Sequence, residues 1–400
     1  PQNPILMRQE NGPIAAPHFR GRIISSTRRR AKVLCIIIII IVMEGTSKVK
    51  KLILMTRHGQ RSPLIISSAE KYWKGPAASL TSKGADTMNA RGAALRSRFD
   101  AFFREKGVGK DSIRVYSSNL HRTVFSAYYF VHGMMKEAAT SEPMASETEG
   151  LTYLGQYKFA RKPMRCDLLL RYINTGISRT ITENCNAQNE KYKAAKLEFE
   201  AVKQVLLMLP AGQQMTLDTL NYVKLFYFYD YLSTYVYHGL PLPGGFPQDR
   251  YQSIAFTDKL LFEILFGAPA NVRLANYMVA KEIQQILADD SCSVALISGH
   301  DLNISSFLRL FGFIPKSIPF GAYWLLVEYE NGRIEIEYCG ESEERVYGAG
   351  SPAELEKFMA KNTYENDKEY LEELKCMMDE DIIKAYRESP AKEIEKELTI

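Results

Sequence analysis

Val49-Lys50-Lys51-Leu52-Ile53-Leu54-Met55-Thr56-Arg57-His58-Gly59-Gln60-Arg61-Ser62-Pro63 joins a compact apolar run to a loop in which two arginines surround a histidine. A run like the one ending at Met55 makes a parallel strand buried on both faces. In an open α/β sheet, ligands bind just beyond the ends of such strands. Arg57 and Arg61 bring forked donors suited to phosphate oxygens. Gly59 permits close backbone approach, and Pro63 stiffens the exit from the loop. At average composition this combination arises by chance in roughly one chain of this length in ten thousand, so the loop carries the functional reading.

Working outward, Thr81 is placed to cap a helix over about Ala85 to Arg104, with Met88, Leu95, Phe99 and Phe102 or Phe103 at helical spacing. Ile113 to Ser117 reads as a second strand, followed by a helix from about Thr123 to Met135. Strand, helix, strand, helix predicts an α/β fold: a three-layer α/β/α core with a mostly parallel central sheet. Residues 48–135 form its first part. Residues 136–290 read as a mostly helical insertion, a smaller α-helical domain. Its Tyr222 to Tyr237 stretch holds eight Tyr or Phe, expected as helix core. Val272, Ala275, Val279, Ile283 and Ile286 keep the helical period, and Val294 to Ile297 returns to strand character, so residues 291–340 complete the core. Ala322 to Tyr329 and Arg333 to Tyr338 read as a hairpin joined by Asn331-Gly332, a favoured two-residue turn. Residues 341–400 read as an acidic helical tail.

Of 400 residues, 46% are apolar and 24% charged, which is the ordinary globular balance and excludes wholesale disorder. The net charge of +5 is unevenly held, because residues 1–51 carry ten Lys/Arg against two Asp/Glu and residues 341–400 carry nine against seventeen. Between them no Lys/Arg-rich run of the kind that binds nucleic acid occurs, so no nucleic-acid partner is expected. Within residues 1–47, Arg28-Arg29-Arg30-Ala31-Lys32 precedes the oily stretch Val33 to Met43. That order is the one of a secretory signal or short anchor, and eleven residues fall short of the roughly 18 of a spanning helix. The expectation is a secreted, lysosomal or membrane-anchored protein, with anchoring through residues 33–43. The alternative is a cytoplasmic protein whose translation starts at Met43. Beyond that stretch five cysteines remain, Cys166, Cys185, Cys292, Cys339 and Cys376, an odd number for a disulfide framework. A homo-oligomer is compatible with all of this.

Two further strand ends carry chemistry. Ser117-Ser118-Asn119-Leu120-His121-Arg122-Thr123 follows the second strand, and Ser298-Gly299-His300-Asp301 follows the strand at Val294. A His-Asp pair alone means little, but parallel strands bring all three ends to one edge of the sheet. His121 is expected to be structural or exposed. No metal is expected, since no two of the six histidines have His-x-His or His-x-x-x-His spacing and no Cys/His cluster occurs. A phosphate-binding Gly-x-x-x-x-Gly-Lys-Ser/Thr loop and a Gly-x-Ser-x-Gly elbow are also missing from the sequence.

These residues together resemble the histidine acid phosphatase family. The likeness rests on the Arg57 to Pro63 motif, on Leu80-Thr81-x-x-Gly84, on the Ser-Ser segment ending in Arg122-Thr123, and on His300-Asp301 after a strand. It spans residues 48 to 340, and only Pro319-Phe320-Gly321-Ala322 matches loosely. The resemblance implies a cofactor-free and metal-independent phosphatase acting on small phosphate monoesters. In it His58 is the nucleophile that forms a phosphohistidine, and Asp301 protonates the leaving alcohol. Arg57, Arg61, Arg122 and His300 hold the phosphate. An acid optimum follows, because Asp301 must carry a proton to act. Two alternatives stand beside it. One is an inositol polyphosphate phosphatase of the same family, with Lys158, Arg161, Lys162 and Arg165 lining a basic pocket. The other is a catalytically silent phosphate-binding protein.

Overall fold

β1 (Val49–Arg57) lies inside a seven-stranded sheet, between β4 (Val294–Gly299) and β5 (Tyr323–Tyr329). The computed structural model describes residues 48–64, 72–73, 75–118, 120–135, 158–160, 222–254, 262–263 and 265–377. The remaining strands are β2 (Ile113–Ser117), β3 (Lys158–Ala160), β6 (Ile334–Cys339) and β7 (Glu343–Ala349), and the spatial order is β3-β2-β4-β1-β5-β6-β7. Both faces of β1 are covered, which is why its sequence runs apolar without alternation. Ile53 and Met55 face one core with Ile297, Phe307 and Trp324, while Leu52 and Leu54 face another with Met88, Phe130 and Leu296.

The helices divide accordingly. α1 (Ser82–Arg98), α2 (Asp100–Glu105) and α3 (His121–Met135) cover the second face. α6 (Pro269–Ala288), α7 (Asp301–Leu310) and α8 (Pro352–Asn362) cover the first. This is the three-layer α/β/α arrangement. Thr81 caps α1 by accepting from Gly84 N (3.2 Å), and the helix ends at Phe99 instead of running on to Arg104. α1 and α3 cross with backbones almost touching: a Cβ at Gly92 would lie 2.0 Å from Phe130 O, and one at Gly133 2.0 Å from Asn89 O. Lys51 is buried because its Nζ caps the end of α6, donating to Ile286 O (2.6 Å), Leu287 O (2.9 Å) and Asp289 O (3.0 Å).

The structure refines four expectations. First, the sheet is parallel through β3, β2, β4 and β1 and antiparallel through β5, β6 and β7, so it is mixed where a mostly parallel one was expected. Second, four residues, Glu330, Asn331, Gly332 and Arg333, separate β5 from β6 where a two-residue turn was expected. Tyr329 and Arg333 close the loop (N to O, 2.9 Å), and Gly332 takes the left-handed position at φ +82°. Third, β3 lies within the stretch read as helical, and three residues are too few to carry a period. Fourth, β7 opens the tail read as helical. Its Glu343, Glu344 and Arg345 suit an exposed strand edge, and α8 and α9 (Asp367–Met377) follow as expected. From residues 136–290, read as the insertion, α4 (Tyr222–His238), α5 (Gln248–Ile254) and α6 are described besides β3, and α6 packs on the sheet as part of the core because its Ile283 and Ile286 face Ile53 and Ile297. Phe228, Tyr231 and Tyr235 of α4 are buried, as expected of helix core. Residues 1–47 and the basic residues Arg161, Lys162 and Arg165 lie outside the described residues. No helix among the described residues is long and apolar enough to cross a membrane.

Candidate active site

The parallel register decides the site. Thr56 and Ser117 both pair with Ser298, and Arg57 pairs with Gly299, so β1, β2 and β4 end level with one another. The residues that come next are His58, Ser118 and His300. The histidine rings lie 5.5 Å apart, edge to face at 73°, so two loops 242 positions apart in sequence meet at one end of the sheet.

The Arg57 to Pro63 loop is held almost wholly by backbone. His58 N donates to Gly299 O (3.0 Å), and His58 O accepts from Gly321 N (3.1 Å). Thr81 N donates to Gln60 O (3.0 Å), and Arg61 bridges Leu80. Gly59 and Gly84 are pressed together, since a Cβ on Gly59 would lie 2.5 Å from Gly84 O and one on Gly84 2.1 Å from Gln60 O. The Leu80-Thr81-x-x-Gly84 segment is thus the seat of the loop. Gly59 N donates to Ser126 Oγ of α3 (2.9 Å).

His58 is 3% exposed, and its Nδ1 lies 2.8 Å from Gly59 O. A carbonyl only accepts, so Nδ1 carries the hydrogen and Nε2 is left with its lone pair. Burial, then Arg122, Arg61, His300 and Arg57, hold the ring's pKa well below the usual imidazole range. His300 is lowered in the same way, by burial and then by Arg122, Arg61 and Arg57. Its Nε2 meets Ser118 Oγ at 3.0 Å, and Ser118 Oγ meets Thr123 Oγ1 at 2.8 Å. Asp301 begins α7, with Oδ1 accepting from Leu302 N (2.8 Å) and Oδ2 paired with Arg57 Nη2 (2.7 Å). Asn303 accepts from His300 N through Oδ1 (3.0 Å) and is buried. That fixes the start of α7.

Arg57 also donates to Ile318 O and stacks over the Phe320 ring, 4.1 Å from its centroid. Arg61, buried, pairs with Asp230 of α4 through both oxygens (2.5 and 3.1 Å). Arg122, at the start of α3, has a pKa pushed down to about 9, by burial first and Arg61 next, and so stays cationic at neutral and acid pH. The Nε atoms of Arg61 and Arg122 are buried and have no hydrogen-bond partner among the described residues. Three cations against two carboxylates, with donors left over, make an anion site.

All six residues expected at the site, Arg57, His58, Arg61, Arg122, His300 and Asp301, are therefore brought together. His121 stands apart, exposed and stacked on Phe125 (4.2 Å). Asp230, Ser118 and Phe320 were not singled out from sequence. Phe320 lies in the very stretch that matched loosely, and its ring sits 5.5 Å from that of His58. Among the described residues no group of three or more His, Cys, Asp or Glu is placed to hold a metal ion. Cys292 and Cys339 are buried free thiols, whereas Cys166 and Cys185 lie outside the described residues.

Comparison with known proteins points the same way. Residues 65–209 match the model of the histidine phosphatase superfamily (branch 2), starting just past the Arg57 to Pro63 loop. The glucose-1-phosphatase of Salmonella typhimurium is 22% identical over 356 residues, covering 76% of this chain and 83% of that protein. The phytase of Citrobacter braakii shares the fold at a TM-score of 0.58 and 12% identity, over 80% of this chain and 98% of that one. So does a multiple inositol polyphosphate phosphatase from Bifidobacterium longum, solved with inositol hexasulfate, at a TM-score of 0.51 and 12% identity, over 75% and 87%. The strand-end motifs, the fold and the family match converge on one likeness: residues 65–209 match the histidine phosphatase superfamily, branch 2, and the relatives they resemble are phosphatases.

Proposed function

We propose that the protein is an acid phosphatase of small phosphate monoesters that works without metal through a phosphohistidine on His58. The observation that carries this reading is the Nδ1 contact of His58 with Gly59 O, which leaves a neutral ring with its Nε2 lone pair beside three arginines. Nε2 attacks phosphorus in line as the ester P–O bond breaks, and Asp301 gives its proton to the departing alcohol oxygen. Water then attacks phosphorus, the P–N bond breaks, and Asp301 takes the water's proton. Phosphate leaves and His58 is again neutral. One hard displacement becomes two easier ones. Arg57, Arg61 and Arg122 hold the equatorial oxygens. His300, steadied by the contact of its Nε2 with Ser118 Oγ, helps to hold the same phosphate.

The depressed pKa of His58 is what lets this chemistry run in acid: a ring at the ordinary value near 6.5 would be protonated there and could not attack. In the free protein Asp301 is engaged by Arg57, and a phosphate that recruits Arg57 frees the carboxyl to face the leaving oxygen. The charged-then-oily order of residues 28–43 supports routing into the secretory pathway.

The test is turnover of p-nitrophenyl phosphate across pH after EDTA treatment, beside His58→Ala. An acid-side optimum that EDTA leaves in place and that His58→Ala abolishes is expected. A wild type dependent on added metal, or a His58→Ala protein as fast as wild type, would overturn the assignment. Running myo-inositol hexakisphosphate in parallel separates the monoester reading from the polyphosphate one.

A further inference from the structure

Arg61 and Asp230 come from segments 169 positions apart, yet they form a two-pronged pair in which both side chains are about 95% buried. The hydrogens of Arg61 can be assigned one by one. Nη1 donates to Asp230 Oδ2 (3.1 Å) and to Ser62 O (3.0 Å), and Nη2 donates to Asp230 Oδ1 (2.5 Å). A guanidinium has five N–H groups in a fixed plane, so those on Nε and on the outer side of Nη2 remain. These two lie parallel along one edge of the plane, the spacing that matches two oxygens of a phosphate. The Nε is buried and has no hydrogen-bond partner among the described residues, which would cost free energy if nothing ever filled it. Asp230 Oδ2 also accepts from Leu64 N (3.3 Å), so the same carboxylate steadies the chain leaving the loop.

We infer that Asp230 is a positioning residue: it grips the end of the Arg61 guanidinium and so presents the Nε and Nη2 edge to the substrate's phosphate. The inference rests on the reading of this site as the one where a phosphate monoester binds beside His58. It makes α4 a working part of the phosphate site and not only a wall of the insertion. His238, eight residues on, reinforces this placement: its Nε2 meets Thr81 Oγ1 at 2.8 Å, tying α4 to the cap of the helix on which the loop is seated. A lysine at 61 cannot serve both partners, because its three donors share one nitrogen.

The experiment follows Arg61 Nε–H by NMR in wild-type protein labelled with 15N at arginine, the signal being assigned by its loss in Arg61→Lys. Titration with inorganic phosphate is expected to move this resonance with the same midpoint at which phosphate inhibits turnover. Asp230→Asn is expected to weaken phosphate binding and kcat/KM by about 10- to 100-fold, the range for losing one charge-assisted contact. In an Arg61→Ala background the same substitution is expected to change kcat/KM by less than about 2-fold, because its effect passes through the missing guanidinium. Phosphate that saturates the site without moving Arg61 Nε–H, or penalties that multiply in the double variant, would overturn the inference. If Asp230→Asn does not fold, the wild-type titration still decides. The underlying reading is judged separately: a wild type that moves Arg61 Nε–H with phosphate yet turns over no phosphomonoester would sink the hydrolytic mechanism and leave the positioning role standing.

Discussion

At the scale of single residues, Asp301 carries the demand that is easiest to isolate. A general acid matters most when the leaving group is a poor one, and its contribution is on the order of a hundredfold or more. p-Nitrophenolate departs readily without a proton, whereas a simple alkoxide does not. Asp301→Asn keeps the start of α7 and the side-chain size, but it cannot give up a proton. Turnover of an alkyl phosphate is therefore expected to fall about 100-fold, and that of p-nitrophenyl phosphate about 10-fold or less, measured side by side. Equal losses on both substrates would mean that Asp301 acts through its bridge to Arg57 alone. The residue scale also shows what could be read without a structure. Arg57, His58 and Arg61 announce themselves by being adjacent, and Arg122, His300 and Asp301 by following strands. Asp230 does not, because an aspartate among aromatics at helical spacing looks the same whether it meets solvent or an arginine far away in the chain. Ser118 lies inside a motif that was read, but only its 3.0 Å approach to His300 gives it a task.

Elements place these residues, and the tightest junction is the one between the phosphate loop and α1. No side chain cushions it. A methyl at Gly84 would meet Gln60 O at 2.1 Å and Leu80 Cδ1 at 2.7 Å, and a backbone oxygen tied to Thr81 cannot step aside without moving Arg61. Gly84→Ala is expected to destabilise by about 1–3 kcal/mol, the usual range for forcing atoms into a packed site, and to raise KM for any phosphomonoester. Gly75→Ala, where nothing lies within 4 Å, serves as the matched control and should stay within about 0.5 kcal/mol of wild type. Thermal melts and initial rates on the two variants check both statements, and a Gly84→Ala protein as stable and as active as the control would show that the loop can shift at no cost. The same element explains why this part of the fold is legible: Thr81 and Gly84 stand three residues apart beside the run they serve. β1 and β4 declare themselves as apolar runs because both of their faces are covered, whereas β2 alternates between buried and half-buried positions. β3 and β7 sit at the two edges of the sheet, where one is too short and the other too charged to look like a core strand.

For the whole molecule, the gathering of cations and neutral imidazoles at one sheet edge makes stability depend on pH. His58 and His300 are held well below their ordinary pKa, and exposed His121 and half-buried His238 are lowered as well, all four chiefly by loss of solvent around the ring. A ring whose folded pKa lies below its unfolded one takes up a proton more readily when the chain unfolds. Its contribution is complete above the unfolded value of 6.5 and is lost as pH falls below it toward the folded value. For the fully buried His58 the slope is about 1.4 kcal/mol per pH unit. His121 and His238 add less, since solvent screens them. The melting temperature of wild type is thus expected to drop between pH 7 and 5.5, above the range where most carboxylates titrate. His58→Ala, lacking one of the rings, is expected to drop less steeply. Inorganic phosphate should flatten the wild-type decline, because an anion among Arg57, Arg61 and Arg122 offsets the charge that opposes protonation and binds only the folded chain. Melting curves at three pH values, with and without phosphate, decide the matter. A fall just as steep in His58→Ala would move the origin of the slope away from the site. The expected result means instead that an enzyme with the acid optimum proposed above is least stable in acid when its site is empty, and that its substrate's own charge restores what the site costs the fold.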